Sequence, residues 1–167
     1  MKTELRDYQK EAVEVFLKRF DGKGTLRIHS GGGKTIVAAA IIEALTVRKL
    51  GLNVVGAFGP VEQGLTFSQF NTVFIVPPID LIDQTRVVME AEGVHNVMVM
   101  TYAKASRMQA DIRFWGDIDL IVFDEAHHLQ GTEWQRLLIN AFKAPFALGL
   151  TATPPTDPES TMLRVLP

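Results

Sequence analysis

The 167-residue chain contains no cysteine, which excludes a disulfide framework, a thiolate metal site and a thiol nucleophile, and agrees with an intracellular (cytoplasmic, nucleoid or nuclear) protein. It also lacks any long apolar run. The longest, Ile36 to Ile42, falls far short of the ~20 residues needed to cross a bilayer, and the first ten residues are charged rather than apolar, so neither membrane insertion nor export is expected. A basic excess is missing too: 17 Lys and Arg stand against 19 Asp and Glu, for a net charge of −2. Gripping nucleic acid through a broad cationic face is thereby excluded, and any such site must be local. What is present is an ordinary globular composition, 47% hydrophobic and 22% charged, at a length suited to one domain.

The hydrophobic pattern alternates between two periods. From Asp7 to Phe20, Tyr8, Ala12, Phe16 and Phe20 recur every four positions beside Val13 and Leu17, which predicts an amphipathic helix. Thr25 to His29 reads as a strand, and Lys34 to Lys49 as a helix stopped near Gly51. Further strands are expected at Asn71–Val76, Asn96–Met100, Asp119–Phe123 and Phe146–Leu150. Helices are expected from Pro77-Pro78 to Glu92, in a short stretch after Met100, and from Thr132 to Phe142. Apolar strands alternating with helices predict an α/β fold, a three-layer sandwich around a mainly parallel sheet. Residues 1–155 make up the domain, with 51–71 as an insertion or long loop. The polar, proline-rich stretch 156–167 reads as a linker or tail.

In such sheets ligands lie at the carboxyl ends of the strands, and the chemically suggestive clusters fall there. Ile28-His-Ser-Gly-Gly-Gly-Lys-Thr35 has the spacing of a phosphate-binding P-loop, with Ile28 in place of the opening glycine. Backbone amides of Ser30, Gly31, Gly32 and Gly33 would wrap phosphate oxygens, Lys34 would reach the β and γ phosphates, and the Thr35 hydroxyl would ligate Mg²⁺. A flexible glycine turn before a helix is the bland alternative. Asp124-Glu125-Ala126-His127 places two carboxylates at the end of an apolar strand, where burial is costly unless a cation or hydrogen bonds compensate. Asp124 would hold Mg²⁺, directly or through water, and Glu125 would orient or deprotonate an attacking water. Alternatively the pair caps the next helix.

The ordered set of motifs resembles the superfamily 2 helicases and translocases, and among them the DEAH-type members that include DNA-repair helicases and restriction-enzyme motor subunits. Leu5-Arg-Asp-Tyr-Gln9 is similar to the segment that contacts adenine in that family, which implies that role for Gln9 and Arg6. Phe74-Ile-Val-Pro77-Pro78 with Gln84, and Thr101-Tyr102, resemble segments on the nucleic-acid path; Pro78 replaces a usual threonine. Tyr102 and Trp134 also read as core aromatics. Gly149-Leu-Thr151-Ala-Thr153-Pro resembles the motif that, with His127, couples nucleotide state to a partner domain. The resemblance implies a RecA-like P-loop NTPase fold, ATP and Mg²⁺ as cofactors, and nucleic acid as partner, DNA ahead of RNA. It also implies a second RecA-like domain, in the same or another chain, supplying arginines at the γ-phosphate, so turnover by this chain alone is expected to be very slow. The competing reading is a non-catalytic nucleotide-binding or interaction module.

Overall fold

The computed structural model describes residues 2–19, 22–49, 70–131, 134–154, 156–157 and 160–167. The expected insertion over 51–71 lies almost wholly outside them. Among the described residues there are five strands, β1 (Lys23–Arg27), β2 (Thr72–Val76), β3 (Val97–Thr101), β4 (Leu120–Asp124) and β5 (Phe146–Thr151), all but β1 being mainly apolar or β-branched. They make one sheet in the order β1-β5-β4-β2-β3, with every pair parallel. Parallel neighbours need crossover connections, and helices supply them. Between the strands lie α2 (Lys34–Lys49), α3 (Leu81–Ala91), α4 (Tyr102–Arg107), α5 (Ile112–Gly116), a 3-10 helix at Ala126–Gln130 and α6 (Leu137–Lys143), while α1 (Asp7–Arg19) precedes β1 and α7 (Thr161–Val165) follows β5.

Side chains alternate between two cores because successive residues of a strand point to opposite faces. Phe74, Val76, Leu120, Val122, Leu148 and Leu150 pack toward α1, α2 and α3. Val73, Ile75, Ile121, Phe123 and Ala147 pack toward α4, α6, α7 and the 3-10 helix. All five residues of β2 are buried, as a strand covered on both faces requires. The expected three-layer α/β architecture is therefore present. Among the described residues no helix is long and apolar enough to cross a membrane.

Several details depart from the sequence reading. β1 begins and ends two residues earlier than expected, which leaves His29 in the loop. The Pro77-Pro78 pair occupies a turn, and α3 opens only at Leu81. On α1 the buried residues are Gln9, Val13 and Phe16, whereas Tyr8 is 36% exposed. The 3-10 helix carries no apolar periodicity long enough to announce itself. The stretch 156–167 is not a frayed tail where it is described: α7 docks on the sheet with Met162 and Leu166 fully buried. The carbonyls of Leu166 and Pro167 accept hydrogen bonds from the Thr25 hydroxyl and amide, both at 2.8 Å. Those bonds cover the outer edge of β1, which would otherwise present unpaired backbone groups.

Candidate active site

β1, β5 and β4 lie side by side, so the segments leaving their carboxyl ends converge. After β1, residues 28–33 turn into α2 with Gly31 at φ 75° and Gly33 at φ 76°, a left-handed backbone that glycine adopts without strain. Space is short as well. A Cβ on Gly33 would lie 2.5 Å from Gln9 Nε2, and one on Gly32 would lie 2.7 Å from a methyl of Ile28. Ile28, the departure from the general loop pattern, is buried in the core beneath the turn, so glycine at 32 accommodates the bulk at 28.

The loop is held from outside by α1. The Gly32 carbonyl accepts from the Tyr8 hydroxyl at 2.8 Å and from Gln9 Nε2 at 2.9 Å. Gln9 is itself fixed, its Oε1 accepting from the Arg6 amide at 2.9 Å, and it is buried. The exposed Arg6 stands at the entrance to α1. The Tyr8 ring leans on His29 with centroids 5.9 Å apart. The helical pattern in the sequence assigns Tyr8 to the apolar face; its adjacency to Gln9 is the one signal of its contact with the loop.

Asp124 is the last residue of β4, and its Oδ1 accepts from the Glu125 amide at 3.0 Å. Burial pushes its carboxyl above the ordinary value; Lys34 draws it back and Glu125 pushes it further up. Glu125 sits at φ 47°, ψ 52°. That left-handed conformation costs a non-glycine residue roughly 1–3 kcal/mol and persists only where the surroundings enforce it. Its carboxylate forms an ion pair with Lys34, the first residue of α2, whose side chain is largely enclosed. Thus the loop lysine and the acidic pair of β4 share one site, reached across the end of β5. Thr35 follows on the first turn of α2, half-buried, and Ser30 lies exposed in the loop.

β5 closes the third side. The Thr151 hydroxyl accepts from the Thr153 amide at 3.1 Å and lies 3.1 Å from His127 Nδ1. Burial lowers the pKa of His127; His128 and Lys34 reinforce this and Glu125 opposes it. The His127 Nδ1 thus faces the Thr151 hydroxyl on β5. The same Nδ1 lies 3.4 Å from a Glu125 carboxylate oxygen. The site joins His127, Thr151 and Thr153 in one chain of contacts.

Of the residues associated with a nucleic-acid path, Pro77, Pro78 and Thr101 lie at the carboxyl ends of β2 and β3, and Gln84 is exposed on α3. Thr101 caps α4, its hydroxyl accepting from the Lys104 amide at 3.2 Å. Tyr102 does not belong with them. It is 2% exposed, packed among Phe123, His128 and Trp134, and its hydroxyl donates to the Asp124 carbonyl at 2.8 Å. Stacking on a base would require it to leave the core. Burial first, then the charges of Asp124 and Glu125, push its hydroxyl well above the ordinary tyrosine value.

A glycine loop opening a helix beside an acidic strand end, on an all-parallel sheet with helices on both faces, is the architecture of a RecA-like domain. The chain belongs to the family of type III restriction enzyme res subunits, whose profile matches residues 2–93 and 88–156. It is 30% identical over 169 aligned positions to the DNA 3'-5' translocase XPB2 of Sulfurisphaera tokodaii, covering 93% of this chain and 32% of that protein. The chain thus spans about a third of the length of this relative. Among solved structures, the UvsW helicase of bacteriophage T4 superposes with a TM-score of 0.70 at 16% identity, over 97% of this chain and 57% of that one. The Sulfolobus solfataricus SWI2/SNF2 ATPase core, solved in complex with dsDNA, gives 0.65 at 16% identity, over 99% and 36%. The chain is an N-terminal RecA-like domain of the superfamily 2 helicase and translocase class, and this membership does not favour the non-catalytic alternative.

Proposed function

We propose that this chain is the nucleotide-binding half of a DEAH-type motor that couples ATP hydrolysis to movement on DNA. The observation that carries the proposal is the meeting of Lys34 with Glu125, which joins the P-loop to the acidic strand end. The residues present suit ATP and a divalent cation. Left-handed Gly31 and Gly33 open the loop backbone to phosphate oxygens, and the Asp124 carboxyl is held in a desolvated place where a cation would compensate its charge. Bound Mg²⁺ would neutralise charge on the phosphates.

Lys34 would exchange its Glu125 partner for phosphate, with Thr35 and Asp124 as the metal ligands. Glu125, released from Lys34, would orient and deprotonate the attacking water. Arg6 and Gln9 would meet adenine; Pro77, Pro78, Gln84 and Thr101 would face the nucleic-acid backbone. His127, Thr151 and Thr153 would report nucleotide state to a second RecA-like domain, whose arginines complete the site. DNA is favoured over RNA because the matched relative is a DNA translocase and a structural neighbour was solved with dsDNA.

Calorimetric titration with Mg·ATP tests the binding half. Binding is expected, and Lys34→Ala should weaken it about 10- to 100-fold, the worth of a lost charge-assisted hydrogen bond. Absence of binding would overturn the nucleotide reading. Robust DNA-stimulated ATPase by this chain alone would overturn the need for a second domain.

A further inference from the structure

Glu125 holds a strained backbone, and the peptide joining it to Asp124 is gripped at both ends. Its N–H donates to Asp124 Oδ1 at 3.0 Å, and its C=O accepts from the Tyr102 hydroxyl at 2.8 Å. A peptide unit is rigid, so fixing its two polar atoms fixes its plane, and any rotation of that plane would change ψ of Asp124 and φ of Glu125 together. The second grip comes from another strand: Tyr102 opens α4 directly after β3, beyond β2 from the end of β4. Its ring is wedged against Phe123 on the sheet, His128 on the 3-10 helix and Trp134 beyond it, so the hydroxyl has little freedom to aim elsewhere.

We infer that Tyr102 is a positioning residue: its hydroxyl locks the Asp124–Glu125 peptide and thereby holds Glu125 in the left-handed conformation that presents its carboxylate to Lys34. Without the hydroxyl, the Asp124 carbonyl loses its donor in a buried place, and the peptide is free to rotate toward an unstrained φ. The catalytic meaning rests on the ATPase reading above, whereas the positioning itself is a property of the chain.

Amide hydrogen exchange by NMR separates this role from simple packing, using Tyr102→Phe, which keeps the ring and removes one oxygen. The expected result is a loss of protection at the Glu125 amide of at least about fivefold, with Ile121 and Val122 of β4 unchanged. Unchanged protection at Glu125 would overturn the inference. So would a uniform fall across β4, the pattern expected of Phe123→Leu, which trims the neighbouring ring and keeps the hydroxyl. In the same samples Tyr102→Phe should bind Mg·ATP as the unaltered chain does while its single-turnover hydrolysis slows. Failure of the unaltered chain to bind Mg·ATP would count against the ATPase reading and leave the exchange result to decide the positioning.

Discussion

Replacing Asp124 by Asn should make the protein more stable while disabling it. The carboxyl is raised above its ordinary value because burial outweighs the attraction of Lys34, so its ionised form is a net cost to the folded state. Asparagine keeps an oxygen to accept the Glu125 amide, and Lys34 keeps its ion pair with Glu125. Removing an unfavourable functional charge is worth about 0.5–2 kcal/mol. For a chain of this size, 1 kcal/mol corresponds to about 2–4 °C in melting temperature. The sign with pH follows from linkage. With the folded pKa above the unfolded one, the cost is absent below the unfolded value near 3.8, grows as pH rises, and is complete above the folded pKa. Melting followed by circular dichroism should therefore show Asp124→Asn above the unaltered protein at pH 7, with the gap narrowing in acid. A lower melting point at pH 7 would mean that the Lys34 attraction exceeds the desolvation cost, and the argument would fail.

Gly33→Ala meets two obstacles at once, a φ of 76° and a Cβ 2.5 Å from Gln9 Nε2. It should destabilise by roughly 1–3 kcal/mol in chemical denaturation and lower ATP affinity as well; a neutral outcome would mean that the loop relaxes freely. Met162→Ala should cost about 2–5 kcal/mol, since the side chain is fully buried against the sheet. A loss under 0.5 kcal/mol would show that α7 is not part of the core.

Much of this architecture is legible in the residues, and the reasons are local. Thr72–Val76 and Leu120–Asp124 are apolar runs that only a twice-covered strand explains, and glycines followed by Lys34 sit where a strand becomes a helix. Less legible are features that depend on distant partners. Nothing near Tyr102 in the chain reveals that Asp124 receives its hydroxyl, so an aromatic after a strand reads equally as core or as a stacking platform. Glu125 belongs to a residue type that rarely adopts a positive φ, and the strain appears only once its neighbours are placed. Met162 and Leu166 are spaced one helical turn apart, too short a period to stand out behind a proline-rich stretch.

The strand order has a consequence for how the molecule is made. Among the described residues β1 pairs with β5 alone, Arg27 lying opposite Thr151. A ribosome adding roughly 5–20 residues per second releases the first strand and its glycine loop seconds before the last strand exists. Throughout that interval β1 lacks the strand it pairs with, and Leu26, whose neighbour in the ladder is Leu150, has no sheet to pack into. Nascent chains halted before residue 146 should therefore be protease-sensitive and chaperone-bound, and those extended past residue 151 should close abruptly.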